Sequence, residues 1–414
     1  MTQDHPAPHR LDPHGGCPHA ANARLRAERG AVVPVLLPDD VEGMLVLGHE
    51  ELKEFLAHPD VAKDAQHFAA LQKGEIPEGW PMRTFATVRS MTTADGADHR
   101  RLRSLVSRAF TARRVEALRP GVEELAATLL DRLEQAARES TDGTVDLRRN
   151  FAMPLPMGVI CRLLGVDAEQ GERLHALSNR VVSTSLAPAE VLKANQETIE
   201  VLGQVAAARM ADPGDDLTSA LIAARAEDGD RLSEQELIGT LLLLVIAGHE
   251  TTLNLLTNAV RALSAHRDQL DLVQAGKASW ADVVEETMRW DSPVSYFPFR
   301  YPTRDLTVDG TVIPQGTPVL AGYSGAGRDP RAHGDDADVF DVTRAQNRHL
   351  SFGHGAHFCI GAPLARMEAA IALEALFTRF PQLTVAVDED ELPRRGSFVG
   401  NSVPVLPVRL TPSS

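Results

Sequence analysis

Between Ser233 and Ala265 the chain runs without a proline through helix-favouring residues, and Ser233 followed by Glu236 is the pattern of a capping box. At 1.5 Å per residue, about 32 residues make a rod of roughly 48 Å, long enough to cross a whole domain. Its first half, Leu237 to Ala247, is apolar almost all round, which a helix tolerates only where protein surrounds it. The rest of the fold must therefore wrap this rod. In its centre stands Ala247-Gly248-His249-Glu250-Thr251-Thr252, a carboxylate and two hydroxyls where packing alone favours Leu or Val. Buried polar groups need partners. One reading is structural: a kink, with Thr hydroxyls bonded back to the preceding turn and Glu250 in a salt bridge. The other is chemical: Gly248 leaves room beside a cofactor, while Glu250 and Thr251 hold water and relay protons.

The remaining pattern is mainly α with a minor β portion. Helical periodicity covers Glu50–His58, His99–Phe110, Pro120–Ser140, Ala168–Ser183, Pro188–Met210, Leu217–Ala226 and Leu364–Phe380. Val32–Leu37 and Met44–Leu47 flank Pro38-Asp39-Asp40 as a hairpin, and short strand signals return at Leu306–Val308, Thr311–Ile313, Pro318–Ala321, Leu383–Val387 and Val403–Leu410. Residues 66–93 form a long irregular loop. The chain has 414 residues with 43% hydrophobic and no Ser/Gly or Pro-rich linker, so one large domain is expected over 21–414 behind a flexible tail, 1–20.

Forty-two basic against 57 acidic side chains leave a net charge of −15, which disfavours nucleic acid and anionic membrane as partners. The apolar run Leu241–Ala247 is far shorter than the roughly 18 residues of a span, and the first 20 residues lack the apolar stretch of a signal peptide. Three cysteines, Cys17, Cys161 and Cys359, are odd in number and far apart, which points to a reducing, cytoplasmic setting without disulfides.

Cys359 stands out by its surroundings. The segment Ser351-Phe352-Gly353-His354-Gly355-Ala356-His357-Phe358-Cys359-Ile360-Gly361 places it among glycines just before a strong helix. Glycines let backbone amides approach the sulfur, and the positive end of the following helix favours thiolate. A lone cysteine is usually a small buried hydrophobe. This setting instead suits a soft ligand to one iron, and no second cysteine is near enough for zinc or an iron–sulfur cluster.

The pattern Phe352-Gly353-x-Gly-x-His357-x-Cys359-x-Gly361 resembles the haem-binding loop of the cytochrome P450 family. Glu286-Thr-Met-Arg289 resembles the family's buried Glu-x-x-Arg pair, and Phe340-Asp-Val-Thr-Arg344 the segment that supplies its second arginine. Ala247-Gly248-His249-Glu250-Thr251 resembles the oxygen-activating turn of the family's central helix. The likeness runs from about His14 to Leu410. It departs from the family at Pro302, which replaces a small residue, and at Gly327, where Asn is common.

The resemblance implies the P450 fold, a single haem-binding domain around the long central helix, with heme b as cofactor. By the same resemblance, Cys359 is the metal ligand; Phe352 and Gly353 belong to its loop; His99, Arg103, Arg300 and His357 hold the haem carboxylates. Glu286, Arg289 and Arg344 are structural. Glu250 and Thr251 are catalytic, and His249 points elsewhere. The implied substrate pocket includes Leu244, Ala247, Gly248, Val294, Phe297 and Val399, within segments near 82–88, 179–191, 294–299 and 398–403. These are mostly aliphatic, aromatic or small, which suits a mid-sized apolar substrate such as a macrolide, steroid or terpenoid-like compound.

The implied activity is monooxygenation, hydroxylation or epoxidation with O2, by a monomer that takes electrons from a ferredoxin and its reductase. The run from His99 to Arg114 carries six arginines and no acid, which suits docking of an acidic ferredoxin. A peroxide-driven peroxygenase is disfavoured by the Glu250–Thr251 pair. A non-enzymatic haem-thiolate ligand sensor is disfavoured by the same pair and by the lack of a fused signalling domain.

Overall fold

The computed structural model describes residues 7–12, 16–181, 186–224, 231–393 and 397–410. Its axis is the helix Glu234–Ala265, unbroken over 32 residues. Ser233 Oγ accepts from the Glu236 amide at 3.2 Å, and Glu236 Oε2 accepts from the Ser233 amide at 2.8 Å, so the capping box forms as expected. Every residue from Thr252 to Leu263 is buried. By length and composition alone this helix could cross a membrane, a property hidden when only the run Leu241–Ala247 is counted. Protein occupies that role instead: helices Pro154–Leu164, Pro188–Ala211, Trp280–Trp290 and Ala362–Arg379 pack around it.

The helix Pro154–Leu164 is not legible in the sequence. Its segment is short, and its two prolines, Pro154 and Pro156, read as breakers. Both fall in the first turn, where proline costs no intrahelical hydrogen bond.

The β portion is larger than its sequence signals. A six-stranded sheet runs in the order His9–Arg10, Val32–Leu36, Glu42–Val46, Val319–Gly322, Tyr296–Pro302, Val61–Ala62. The expected hairpin is there, with Val33 opposite Leu45. The strand Tyr296–Pro302 is hidden in the sequence because two prolines lie in it; its register with Val319–Gly322 shifts between Phe297 and Arg300. The expected tail over 1–20 is corrected in part: His9–Arg10 pairs in parallel with Val35–Leu36, and helix Pro18–Arg29 starts before residue 20. Pro302 ends its strand opposite Val61, a place that needs no further amide donor.

One buried ion pair ties the helix Trp280–Trp290 to the loops after it. Glu286 and Arg289 are 1% and 0% exposed. Arg289 donates to both Glu286 oxygens at 2.8 and 2.7 Å, and to the carbonyls of Gly327, Ala337 and Val339 at 2.7–2.8 Å. Glu286 also accepts from the Asp341 amide at 2.9 Å and from Asn347 Nδ2 at 3.0 Å, while Arg344 Nε stands 3.6 Å away. Gly327 is required here, because a Cβ on it would lie 2.0 Å from the Arg289 carbonyl oxygen.

Removing Glu286 strands a buried guanidinium, a loss of about 3–5 kcal/mol. Glu286→Ala is expected to lower the melting temperature sharply and to abolish stoichiometric haem incorporation, read from the ratio of Soret to protein absorbance. A haem-replete variant would refute this role.

Candidate active site

The cysteine loop is a set of tight turns. Gly353 and Gly355 adopt φ of 74° and 73°, where a side chain is strained. The Cys359 amide donates to Phe352 O at 2.8 Å, and the Gly353 amide to Leu350 O at 2.7 Å. Cys359 is exposed and lines a cavity that holds about 1360 Å³ of atom-free space, its mouth included. Enclosure of the sulfur by the surrounding protein raises its pKa, against the amides of Gly361 and Ala362 and the charges of Arg103 and Arg366. The net shift is upward, while the loop amides act in the expected direction, toward thiolate. A cation at the sulfur would tip that balance to thiolate.

One edge of the cavity is crowded with basic groups. Lys63, Arg103, Arg300 and His357 line it, and the His99 ring lies 4.1 Å from that of His357. No ion pair among the described residues includes Lys63, Arg103 or Arg300. Arg300 is 3% exposed, and its Nη1 has no hydrogen-bond partner; neither does His99 Nε2. Burial, then the neighbouring His99, Lys63, Arg300 and Arg103, push His357 down to about 2. Burial and Arg103 lower His99 in the same way. Both imidazoles are thus neutral donors at pH 7. Arg103 also donates to Phe358 O at 2.6 Å, which joins this cluster to the cysteine loop.

Such orphaned donors suit acceptor groups carrying negative charge. The two propionates of haem fit them, and the sulfur of Cys359 stands on the same cavity for the iron. Glu368, a lining residue of helix Ala362–Arg379, does not oppose that fit: burial raises its pKa to about 8, so it is a neutral acid. Neither Glu368 nor Lys63 carries a local sequence signal. Glu368 lies in a helix of mixed pattern, and Lys63 in a short strand-edge segment whose burial follows from distant residues, with Nζ donating to Phe299 O at 2.7 Å.

The opposite wall is apolar. Leu244, Ala247, Gly248 and Thr251 of the central helix line it with Val294 and Phe297. Thr251 Oγ1 donates to Ala247 O at 2.6 Å, the back-bond of the structural reading, and the helix continues through it without a break. Glu250 is not on the cavity wall; it lies 3.7 Å from Arg148 Nη2. His249 turns away, with Nε2 3.2 Å from Met153 O.

Gly248 lines the cavity as expected, and the side that lacks a Cβ faces Ile160, itself a lining residue, which an added Cβ would meet at 2.4 Å. One pocket assignment is corrected by the fold. Val399 does not line the cavity; it packs with the cluster around Trp80, Phe299 and Phe398, and its carbonyl accepts from the Ser295 amide at 2.8 Å. Met82 is fully buried in that same cluster. The expected contacts near 179–191 lie partly outside the described residues.

A cysteine thiol beside a basic cavity edge fits a haem-thiolate protein. Comparison with known proteins narrows the class. Residues 281–407 match the family model described as cytochrome P450. The chain is 42% identical to a 2-hydroxy-5-methyl-1-naphthoate 7-hydroxylase of Streptomyces carzinostaticus, covering 97% of each protein. It is 40% identical to a vitamin D(3) 25-hydroxylase of Pseudonocardia autotrophica, covering 96% of this chain and 94% of that one. The solved structure of testosterone-bound CYP154C4 from Streptomyces sp. ATCC 11861 superposes with a TM-score of 0.93 at 43% identity, over 98% of both chains. The chain belongs to the cytochrome P450 family, whose members hold heme b through a cysteine thiolate, and it is a P450 monooxygenase.

An acid-sensitive clamp holds the cysteine loop. Glu285 accepts from Arg366 at 2.6 and 2.9 Å and lies 3.1 Å from His349 Nε2, while the Arg366 guanidinium covers the Phe352 ring at 4.5 Å. Burial raises the pKa of Glu285, but the bonds from His349 and Arg366 outweigh it and pull the carboxyl from 4.5 to about 2. Its contribution is therefore complete above pH 4.5 and vanishes as pH falls through about 2. Glu285→Gln is expected to weaken the protein at pH 7 and to remove part of the stability loss between those limits, measured by denaturant unfolding across pH.

Proposed function

We propose that this enzyme inserts one oxygen atom from O2 into a mid-sized, mainly apolar substrate of the steroid, macrolide or terpenoid kind. The observation that carries the reading is a single cavity with the Cys359 sulfur and a basic edge on one side and a mainly apolar wall that includes Thr251 on the other. When bound, heme b supplies the oxygen-activating chemistry. Cys359 is its metal ligand, and Arg103, Arg300, His99 and His357 donate to its carboxylates. Leu244, Ala247, Val294 and Phe297 exclude water and favour a neutral ligand. One relative named above is a vitamin D(3) 25-hydroxylase and the structural neighbour holds testosterone, which supports the steroid part of this range, while the other relative is named for a naphthoate.

Protons come through the central helix. Thr251 Oγ1 holds a proton at the wall, and rotation away from Ala247 O would aim it into the cavity. Glu250, held at the protein's side of the helix by Arg148, replenishes it through water. Electrons come from a ferredoxin and its reductase. Arg100, Arg108 and Arg113 are exposed, and Phe358, 41% exposed, lies beside the cysteine. Half of the expected basic run is turned inward instead: Arg101 pairs with Glu236, Arg103 with Phe358 O, and Arg114 with Asp216 O. A monomer in the cytoplasm fits this reading, and the three free thiols support a reducing compartment.

The test is a low- to high-spin titration of the haem with testosterone, a macrolide and a terpenoid, and then turnover with ferredoxin, reductase and reduced nicotinamide. Saturable spin conversion and oxygenated product are expected for at least one compound. Product from peroxide alone, or binding without turnover, would favour a peroxygenase or a ligand sensor. Thr251→Ala is expected to cut product formed per electron by about tenfold or more, with the missing electrons recovered as peroxide. Unchanged coupling would remove Thr251 from the proton path.

A further inference from the structure

The central helix carries an earlier glycine, Gly239. Spacing of four puts Gly239, Leu243, Ala247 and Thr251 in one row, and the last three line the cavity. The row therefore runs on from the cavity to Gly239, where another segment crosses it. A Cβ on Gly239 would lie 2.8 Å from the carbonyl oxygen of Arg89, a backbone atom that cannot swing aside as a side chain does. Alanine is the better residue for a helix interior. Helix formation thus does not explain this glycine, whereas the close approach of the Arg89 backbone does.

The crossing segment is stiff. Thr93 N donates to Ser90 O at 3.1 Å, and Ser90 N to Thr93 Oγ1 at 3.0 Å. Thr93 Oγ1 in turn donates to Val88 O at 2.5 Å, and Thr92 N donates to Ser90 Oγ at 3.2 Å. A turn tied in this way moves as one piece. Two of its residues, Met91 and Thr92, line the cavity. At the same end, Arg101 of the next long helix pairs with Glu236 in the first turn of the central helix.

We infer that Gly239 determines specificity: its missing side chain seats the 88–93 turn on the central helix and so fixes the wall that Met91 and Thr92 present to substrate. Gly239 touches no ligand and acts through that turn, which makes it a positioning residue. The inference rests on the reading that this cavity receives haem and substrate.

The test uses the holoenzyme and two iron-ligating probes, imidazole and the larger 4-phenylimidazole, titrated by the Soret shift. In Gly239→Ala the dissociation constant for imidazole is expected to stay within about twofold of wild type, while that for 4-phenylimidazole rises about fivefold or more. Thr93→Val loosens the same turn without touching the helix and is expected to move the ratio in the same direction; it carries the test if Gly239→Ala fails to fold. A ratio within about twofold of wild type in the folded variant overturns the inference. Equal weakening of both probes also overturns it, since the iron site rather than the wall would then have moved. No Soret shift with either probe in the wild type would overturn the haem reading, and this inference with it.

Discussion

The arrangement on which everything else depends is an imbalance of charge. Lys63, Arg103 and Arg300 converge on one edge of a cavity, with donors left unmet on Arg300 and His99. The carboxyl that shares the cavity, Glu368, is kept neutral by burial. Buried donors without partners are costly, and a ligand that brings negative charge would satisfy them. The two propionates of haem would supply that charge, and Cys359 would hold the iron, whose charge favours the thiolate. Cofactor and protein complete each other's electrostatics.

Two carboxylates on one helix make that pocket possible. Glu286 faces inward and fixes Arg289 against three carbonyls of the chain that leads to the cysteine loop. Its neighbour Glu285 faces the other way and clamps Arg366, whose guanidinium covers Phe352. One helix thereby holds both the approach to the loop and the helix that leaves it. The cysteine is positioned by these fixed charges together with the tight turns at Gly353 and Gly355.

Legibility tracks the range of the interaction. The capping box at Ser233, the Glu286–Arg289 spacing and the glycines around Cys359 are local patterns, and each can be read directly from neighbouring residues. Helix Pro154–Leu164 and strand Tyr296–Pro302 are hidden because proline is judged by local rules, while tertiary position decides whether its missing donor matters. Lys63 joins the site, and Asn347 the Glu286 network, only through contacts across large sequence distances. Gly248 lines the cavity as its motif suggests, with its bare side against Ile160, a contact no local pattern reveals. Val399 belongs by sequence to a pocket-lining segment, and the fold turns it into a neighbouring core.

We propose that the sulfur of Cys359 would hold the haem iron. The most direct measurement is the absorption spectrum of the reduced holoenzyme under carbon monoxide, compared with that of Cys359→His. A strongly red-displaced Soret band is expected in the wild type, with its return to the ordinary position of an imidazole-bound haem in the variant. A wild-type band already at the ordinary position, or one that survives the substitution, would contradict the claim.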